Sequence, residues 1–119
     1  MTLHSEGILG IDVGTTNVKV ALFSLDGNLL SINVKRLPVI RPQPGWEEYD
    51  PEVLFAHTAK TVKTLLANLG ATVHIAGVAV ASMAETAVAL DKHGQALHRA
   101  VAWHDQRSLP QAQWWRQSF

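Results

Sequence analysis

The sequence predicts a mixed α/β fold, a mixed sheet packed by helices, on three observations. Short apolar runs at Ile8–Val13, Val18–Phe23 and Leu29–Leu37 follow one another across brief turns. One longer segment, about Pro51 to Leu69, carries apolar residues at helical spacing. A further apolar run, His74–Ala81, comes after that helix. Strands and helices interleaved in this order suit a sheet with flanking helices.

Ile8–Val13 reads as a buried strand ended by Gly14. Val18, Val20 and Leu22 alternate on one face of the second strand, and Thr15-Thr16-Asn17 lies between the two. Asp26-Gly27-Asn28 is the next turn, where glycine supplies the backbone freedom such turns need. Pro38, Pro42, Pro44, Gly45 and Pro51 then break regular structure, which predicts an extended surface loop carrying Trp46 and Tyr49. Asp50-Pro51-Glu52 is a helix start, with Asp as N-cap and Pro in the first turn. Phe55, Ala59, Val62, Leu65, Leu66 and Leu69 form the apolar stripe of that helix, and Gly70 is its expected C-cap. His74–Ala81 reads as a second buried strand with Val78 and Val80. Thr86–Leu90, the turn Asp91-Lys92-His93-Gly94, and Ala96–Ala102 predict a hairpin. Ser108 is expected to cap a final helix with Pro110 in its first turn.

The 119 residues carry ten Lys+Arg against ten Asp+Glu, for zero net charge. No basic field is present to draw nucleic acid or an anionic membrane. Hydrophobic residues at 47% with charged residues at 17% describe a globular chain with one sizeable core. The absence of cysteine excludes disulfide scaffolds, thiolate zinc sites and cysteine nucleophiles, and fits the cytosol. Met1–Glu6 shows no signal-peptide pattern, and no apolar run approaches a membrane span of ~20 residues. Trp114, Trp115 and Phe119 crowd the end of the sequence, which predicts that the chain stops inside a larger protein.

Three constellations carry chemistry. In Gly10-Ile11-Asp12-Val13-Gly14-Thr15-Thr16-Asn17-Val18-Lys19, a carboxylate at a strand end is followed by a glycine turn and two hydroxyls. Turn N–H groups and the hydroxyls of Thr15 and Thr16 can hold phosphate oxygens, Lys19 can neutralise charge, and Asp12 can hold Mg²⁺, directly or through water. The same residue types also make an ordinary hairpin turn. There is no GxxxxGK[ST] and no GxGxxG. In Ser82-Met83-Ala84-Glu85-Thr86, a carboxylate beyond a strand's C-terminal end can accept hydrogen bonds from ligand hydroxyls, or be a solvated loop residue. In Trp103-His104-Asp105-Gln106-Arg107, an indole offers a flat wall beside an Asp and an Arg that also suit a structural ion pair. The six His are scattered without HExxH, which argues against a histidine metal site.

Together these constellations resemble the FGGY family of carbohydrate kinases. The likeness lies in Gly10–Thr16, in Gly45-Trp46-Glu47-Glu48-Tyr49-Asp50-Pro51-Glu52, and in Ala102–Arg107. It runs over roughly Ile8–Arg107. The resemblance implies a ribonuclease H-like domain of the actin/Hsp70/sugar kinase superfamily, with residues 1–119 as the N-terminal part of the first of two domains. It implies ATP and Mg²⁺ as cofactors, with Asp12 organising Mg²⁺ through water, and Gly14, Thr15, Thr16, Asn17 and Lys19 lining the phosphates. Met83, Ala84, Glu85, Trp103 and Asp105 then fall at sugar- or polyol-contact positions. Glycerol kinases of the family carry an Arg–Glu pair where Ala84–Glu85 stands, and xylulokinases a Met–His pair near Met83–Ala84; this sequence keeps the Glu and lacks the Arg and the His. The family's catalytic base and adenine loops come from later in the chain and match no residue here. The implied function is transfer of the ATP γ-phosphoryl group to a sugar hydroxyl, in the cytoplasm, by a full-length protein that is a homodimer. Two other readings stand beside it: a non-kinase ATPase of the actin or Hsp70 type, and a non-enzymatic interaction domain docking through Trp114 and Trp115.

Overall fold

The computed structural model describes residues 5–69 and 73–119. The expected C-cap Gly70 lies outside them. The elements run β1 (Ser5–Val13), β2 (Asn17–Ser24), β3 (Leu29–Arg36), β4 (Glu48–Tyr49), α1 (Pro51–Ala67), β5 (Val73–Ser82), β6 (Ala100–Val101) and α2 (Leu109–Ser118). They form two compact units, residues 1–37 with 54–83 and residues 38–53 with 84–119.

The first unit is a four-stranded sheet in the order β3-β2-β1-β5. β1 and β2 are antiparallel across the turn after Gly14, β2 and β3 are antiparallel, and β5 adds parallel to β1. The mixed sheet is therefore as predicted. Side chains alternate across a strand, and Val18, Val20 and Leu22 are fully buried on one face with Leu9 beside them. Asn33 pairs with Val20 in register, and its Nδ2 donates to the Thr61 carbonyl at 3.1 Å, so α1 covers this face.

Helix α1 starts as the sequence demands. Asp50 Oδ1 accepts the Glu52 and Val53 N–H groups at 3.0 and 3.1 Å, satisfying donors that a helix start leaves open. The face it buries differs from the expected stripe. Thr61 and Leu65 are buried, whereas Phe55 is 74% exposed. Thr61 tolerates burial because its hydroxyl donates to the His57 carbonyl one turn back, at 2.8 Å.

The two apolar runs expected to be buried strands are strands, but not buried on both sides. β5 is a sheet edge with Val78 and Val80 exposed, and Ile8 of β1, like Ile32 and Val34 of β3, lies on the sheet face away from α1, also exposed. An apolar run reports strand formation, not which face finds a partner.

In the second unit the proline-rich segment is no open loop. Ile40 and Glu48 exchange two 2.9 Å backbone hydrogen bonds, Gly45 turns the chain with φ 79°, and β4 pairs with β6. Glu48 and Tyr49 are buried as a result. The predicted hairpin at 86–102 forms its turn, with Asp91 Oδ1 accepting the His93 and Gln95 N–H groups. Its arms make only isolated bridges, Leu90 with Ala96 and Ala87 with Val101, in place of long strands. Ser108 precedes α2 but makes no side-chain cap, while Pro110 sits in the first turn as expected.

Candidate functional site

The first candidate region is the turn between β1 and β2. Gly14 N–H donates to the Asn17 carbonyl at 3.0 Å and closes the turn. The Thr16 carbonyl accepts the Leu37 N–H at 2.8 Å, and the Val13 carbonyl accepts the Met83 N–H at 2.8 Å. These bonds fix the turn from both sides. Asp12 and Lys19 face each other across the strand pair, 3.6 Å apart, with side chains about half exposed. Thr16, in the turn between the two strands, is exposed. The carboxylate and the ammonium thus meet near the end of the sheet that carries this turn. No group of three or more metal-ligating side chains occurs among the described residues. One accessible carboxylate suits Mg²⁺, which keeps several waters and takes one or two protein carboxylates.

The second candidate region is in the other unit. Ala84 and Glu85 are exposed, and Glu85 adopts φ 61°. For a residue with a Cβ this left-handed conformation is costly, and such strain gathers at functional sites. Thr86 Oγ1 accepts the Trp103 N–H at 3.2 Å, joining the Glu85 and Trp103 segments. Trp103 is 55% exposed, which leaves indole surface free for a ligand. The structure therefore brings Ala84, Glu85 and Trp103 into one region and keeps Met83 in the first unit, bonded to Val13.

Asp105 stands apart from the others. Its side chain is only 2% exposed. Arg107 donates to it from Nε and from its backbone N–H, both at 2.8 Å, and from Nη2 at 3.0 Å, while the Glu47 N–H adds a bond at 2.7 Å. Both Asp105 oxygens are engaged inward, an arrangement that suits the structural ion pair the sequence also allowed. The Arg107 guanidinium holds the Asp105 carboxyl well below the usual carboxylate range, against the opposing effect of burial.

Sequence reasoning gave no role to the pair Glu47 and Glu48. Neighbours on an extended segment point to opposite sides, and these two reach different partners. Glu48 takes Arg107 Nη2 at 2.9 Å and Arg99 Nη1 at 3.4 Å. Glu47 takes Arg41 Nε at 2.7 Å on one oxygen and His104 Nε2 at 2.7 Å on the other. A carboxylate only accepts, so Nε2 is the donor. Both acids are lowered below their ordinary values, Glu48 chiefly by the Arg107 bond and Glu47 chiefly by the His104 bond. Arg107 also lies 4.0 Å over the Trp46 ring, so Trp46 packs under a cation. The signal available in the sequence was complementarity: two acids in the Trp46–Tyr49 segment and a His and an Arg in the Trp103–Arg107 segment.

A model of the FGGY family of carbohydrate kinases, N-terminal domain, matches residues 7–119. The chain belongs to the FGGY family of carbohydrate kinases. A glycerol kinase of Agrobacterium fabrum is 35% identical over 105 residues, covering 87% of this chain and 21% of that protein. Glycerol kinase 1 of Saccharolobus solfataricus is 30% identical over 119 residues, covering 99% of this chain and 24% of that protein. The crystal structure of a xyloylose kinase from Brucella ovis superposes with a TM-score of 0.81 at 29% identity, over 92% of this chain and 23% of that one. The chain thus spans about a fifth to a quarter of the length of these relatives. The fold is that of the sugar kinases, the ribonuclease H-like fold shared with actin and Hsp70, as the resemblance implied.

Proposed function

We propose that this chain is the N-terminal part of an ATP-dependent carbohydrate or polyol kinase that transfers the ATP γ-phosphoryl group to an acceptor hydroxyl. The observation that carries the reading is the Thr86–Trp103 bond, which gathers a strained, exposed Glu85 and a half-exposed indole in one region of a family member. A carboxylate accepting ligand hydroxyls beside an aromatic wall is a fit for a polyhydroxylated acceptor.

On this reading the turn after β1 serves the nucleotide. Thr15, Thr16 and the turn's N–H groups would orient phosphate oxygens, with Gly14 and Asn17 setting the turn and Lys19 adding positive charge. Asp12 would hold Mg²⁺ through water, and the ion supplies neutralisation of phosphate charge when bound. Glu85 would take acceptor hydroxyls, Trp103 would stack on the carbon skeleton, and Ala84 would shape the approach. Phosphoryl transfer asks a protein for positioning and charge stabilisation above all. An ATP-consuming enzyme works where ATP is held, which supports the cytoplasm as its location.

The test is an ATP–Mg²⁺ assay of the full-length protein against glycerol, D-xylulose and a panel of other pentoses, hexoses and polyols. Acceptor-dependent ADP formation supports the reading, and its absence across the panel overturns it. Asp12→Asn is the companion variant. The Asp12–Lys19 pair is exposed and contributes about 0–1 kcal/mol, so the variant is expected to fold. Its kcat should fall at least tenfold with acceptor binding retained; a normal kcat removes Asp12 from the nucleotide site.

A further inference from the structure

We propose that His104 is a positioning residue: gripped through Nε2 by Glu47, its ring sets the Trp103 indole as the wall of the acceptor site. The inference rests on the reading of Trp103 given above and adds a residue to it.

Trp103 is half exposed, and a surface indole turns about two side-chain torsions unless something restrains it. A wall that wanders must be ordered each time a ligand binds, which weakens binding. The restraint visible here is the His104 ring, whose centroid is 5.1 Å from the indole at an interplanar angle of 76°. That is an edge-to-face contact, an arrangement aromatic pairs favour.

The His104 ring is itself fixed. Its Nε2 donates to Glu47 Oε2 at 2.7 Å. Glu47 is immobilised three ways: by Arg41 on its other oxygen, by its backbone N–H to Asp105 at 2.7 Å, and by its carbonyl, which accepts the Ala102 N–H at 3.0 Å. Asp105 is in turn held by Arg107. A series of contacts therefore runs from Arg41 through Glu47 and His104 to the Trp103 ring. The series lies within the second unit, and among the described residues His104 Nδ1 is buried without a hydrogen-bond partner.

The test is a double-mutant cycle in the full-length protein, with the acceptor, glycerol or D-xylulose, that it phosphorylates. His104→Ala should raise the acceptor KM roughly three- to tenfold, leaving kcat and the ATP KM within about twofold. In a Trp103→Ala background, His104→Ala should add nothing further, because the group it positions is gone. His104→Gln keeps a donor for Glu47, preserving the network, but removes the ring; it should show the same KM rise. A wild-type acceptor KM in His104→Gln overturns the proposal. So does an equal effect of His104→Ala with and without Trp103. If Trp103→Ala alone leaves the acceptor KM unchanged, the indole is no wall, and the failure lies in the reading beneath the proposal.

Discussion

Asp105 and Arg107, two residues apart, are tied by three hydrogen bonds, from the Arg107 backbone N–H, Nε and Nη2. The same guanidinium reaches Glu48 at 2.9 Å and covers Trp46 at 4.0 Å. One side chain thus links the Trp46–Tyr49 segment to the Trp103–Arg107 segment. A planar fork with several donors and a face that stacks on indole does this; a lysine ammonium does not. Arg107→Lys keeps the charge and is expected to lower Tm by more than about 5 °C. A melt within a degree or two of wild type would show that the fork geometry is unimportant.

The same network sets the acid limit of stability. Glu47, Glu48 and Asp105 all have folded-state pKa values below their ordinary values of 4.5, 4.5 and 3.8. A depressed acid contributes stability that is present above its unfolded value and lost as pH falls toward its folded value. Stability should therefore be level from neutral pH to about 5 and fall steadily below about 4.5. In Asp105→Asn the acid slope should be shallower, with lower stability at pH 7. An unchanged slope in chemical unfolding between pH 3 and 5 would remove Asp105 from the acid transition.

At the alkaline end, Tyr49 acts with the opposite sign. Burial raises its pKa above the ordinary 10.0, chiefly by desolvation. The neutral phenol is the folded-state form, so its contribution is present below about pH 10 and is lost as pH rises through the raised value. Spectrophotometric titration should show Tyr49 ionising at a higher pH than an ordinary tyrosine. A reversible, ordinary titration in the folded protein would contradict the burial.

Gly7 of β1 and Gly77 of β5 have opposite surroundings. A Cβ on Gly7 would stand 2.8 Å from Leu22 Cδ1 and 2.9 Å from the Phe23 carbonyl oxygen, whereas one on Gly77 meets nothing within 4 Å. Gly7→Ala should cost about 1–3 kcal/mol, since the backbone must shift. Gly77→Ala should be neutral or stabilise by up to about 1 kcal/mol through the unfolded chain. Equal values from urea unfolding would refute the close approach at Gly7.

Glu85→Gly separates strain from function. Glycine accepts φ 61° freely. The relief of about 1–2 kcal/mol is partly offset by glycine's larger loss of freedom on folding, so stability should rise by up to about 1 kcal/mol. The acceptor kcat/KM of the full-length protein should fall at least tenfold. Lower stability together with unchanged kcat/KM would leave Glu85 a loop residue in an unusual conformation.

Local chemistry determined what the sequence could determine alone. Asp50-Pro51 started a helix, the glycine turns at Gly14 and Gly27 joined strands, and Val18, Val20 and Leu22 alternated onto one face, because caps, turns and strand periodicity act over a few residues. The motif pattern also carried the family. What needed the tertiary structure was the choice of partner. Phe55 and Leu65 belong to one apolar stripe, yet only Leu65 is buried. Tyr49 and Glu48 look like loop residues and are buried, because β4 finds β6 about fifty residues later in the chain. Asp105 is bonded by Arg107 and the Glu47 N–H, and His104 is held by Glu47, partners that no local spacing names. Spacing fixes which side chains share a face of one element. Which face is covered, and which charges meet, depends on segments distant in sequence that come together only when the chain folds.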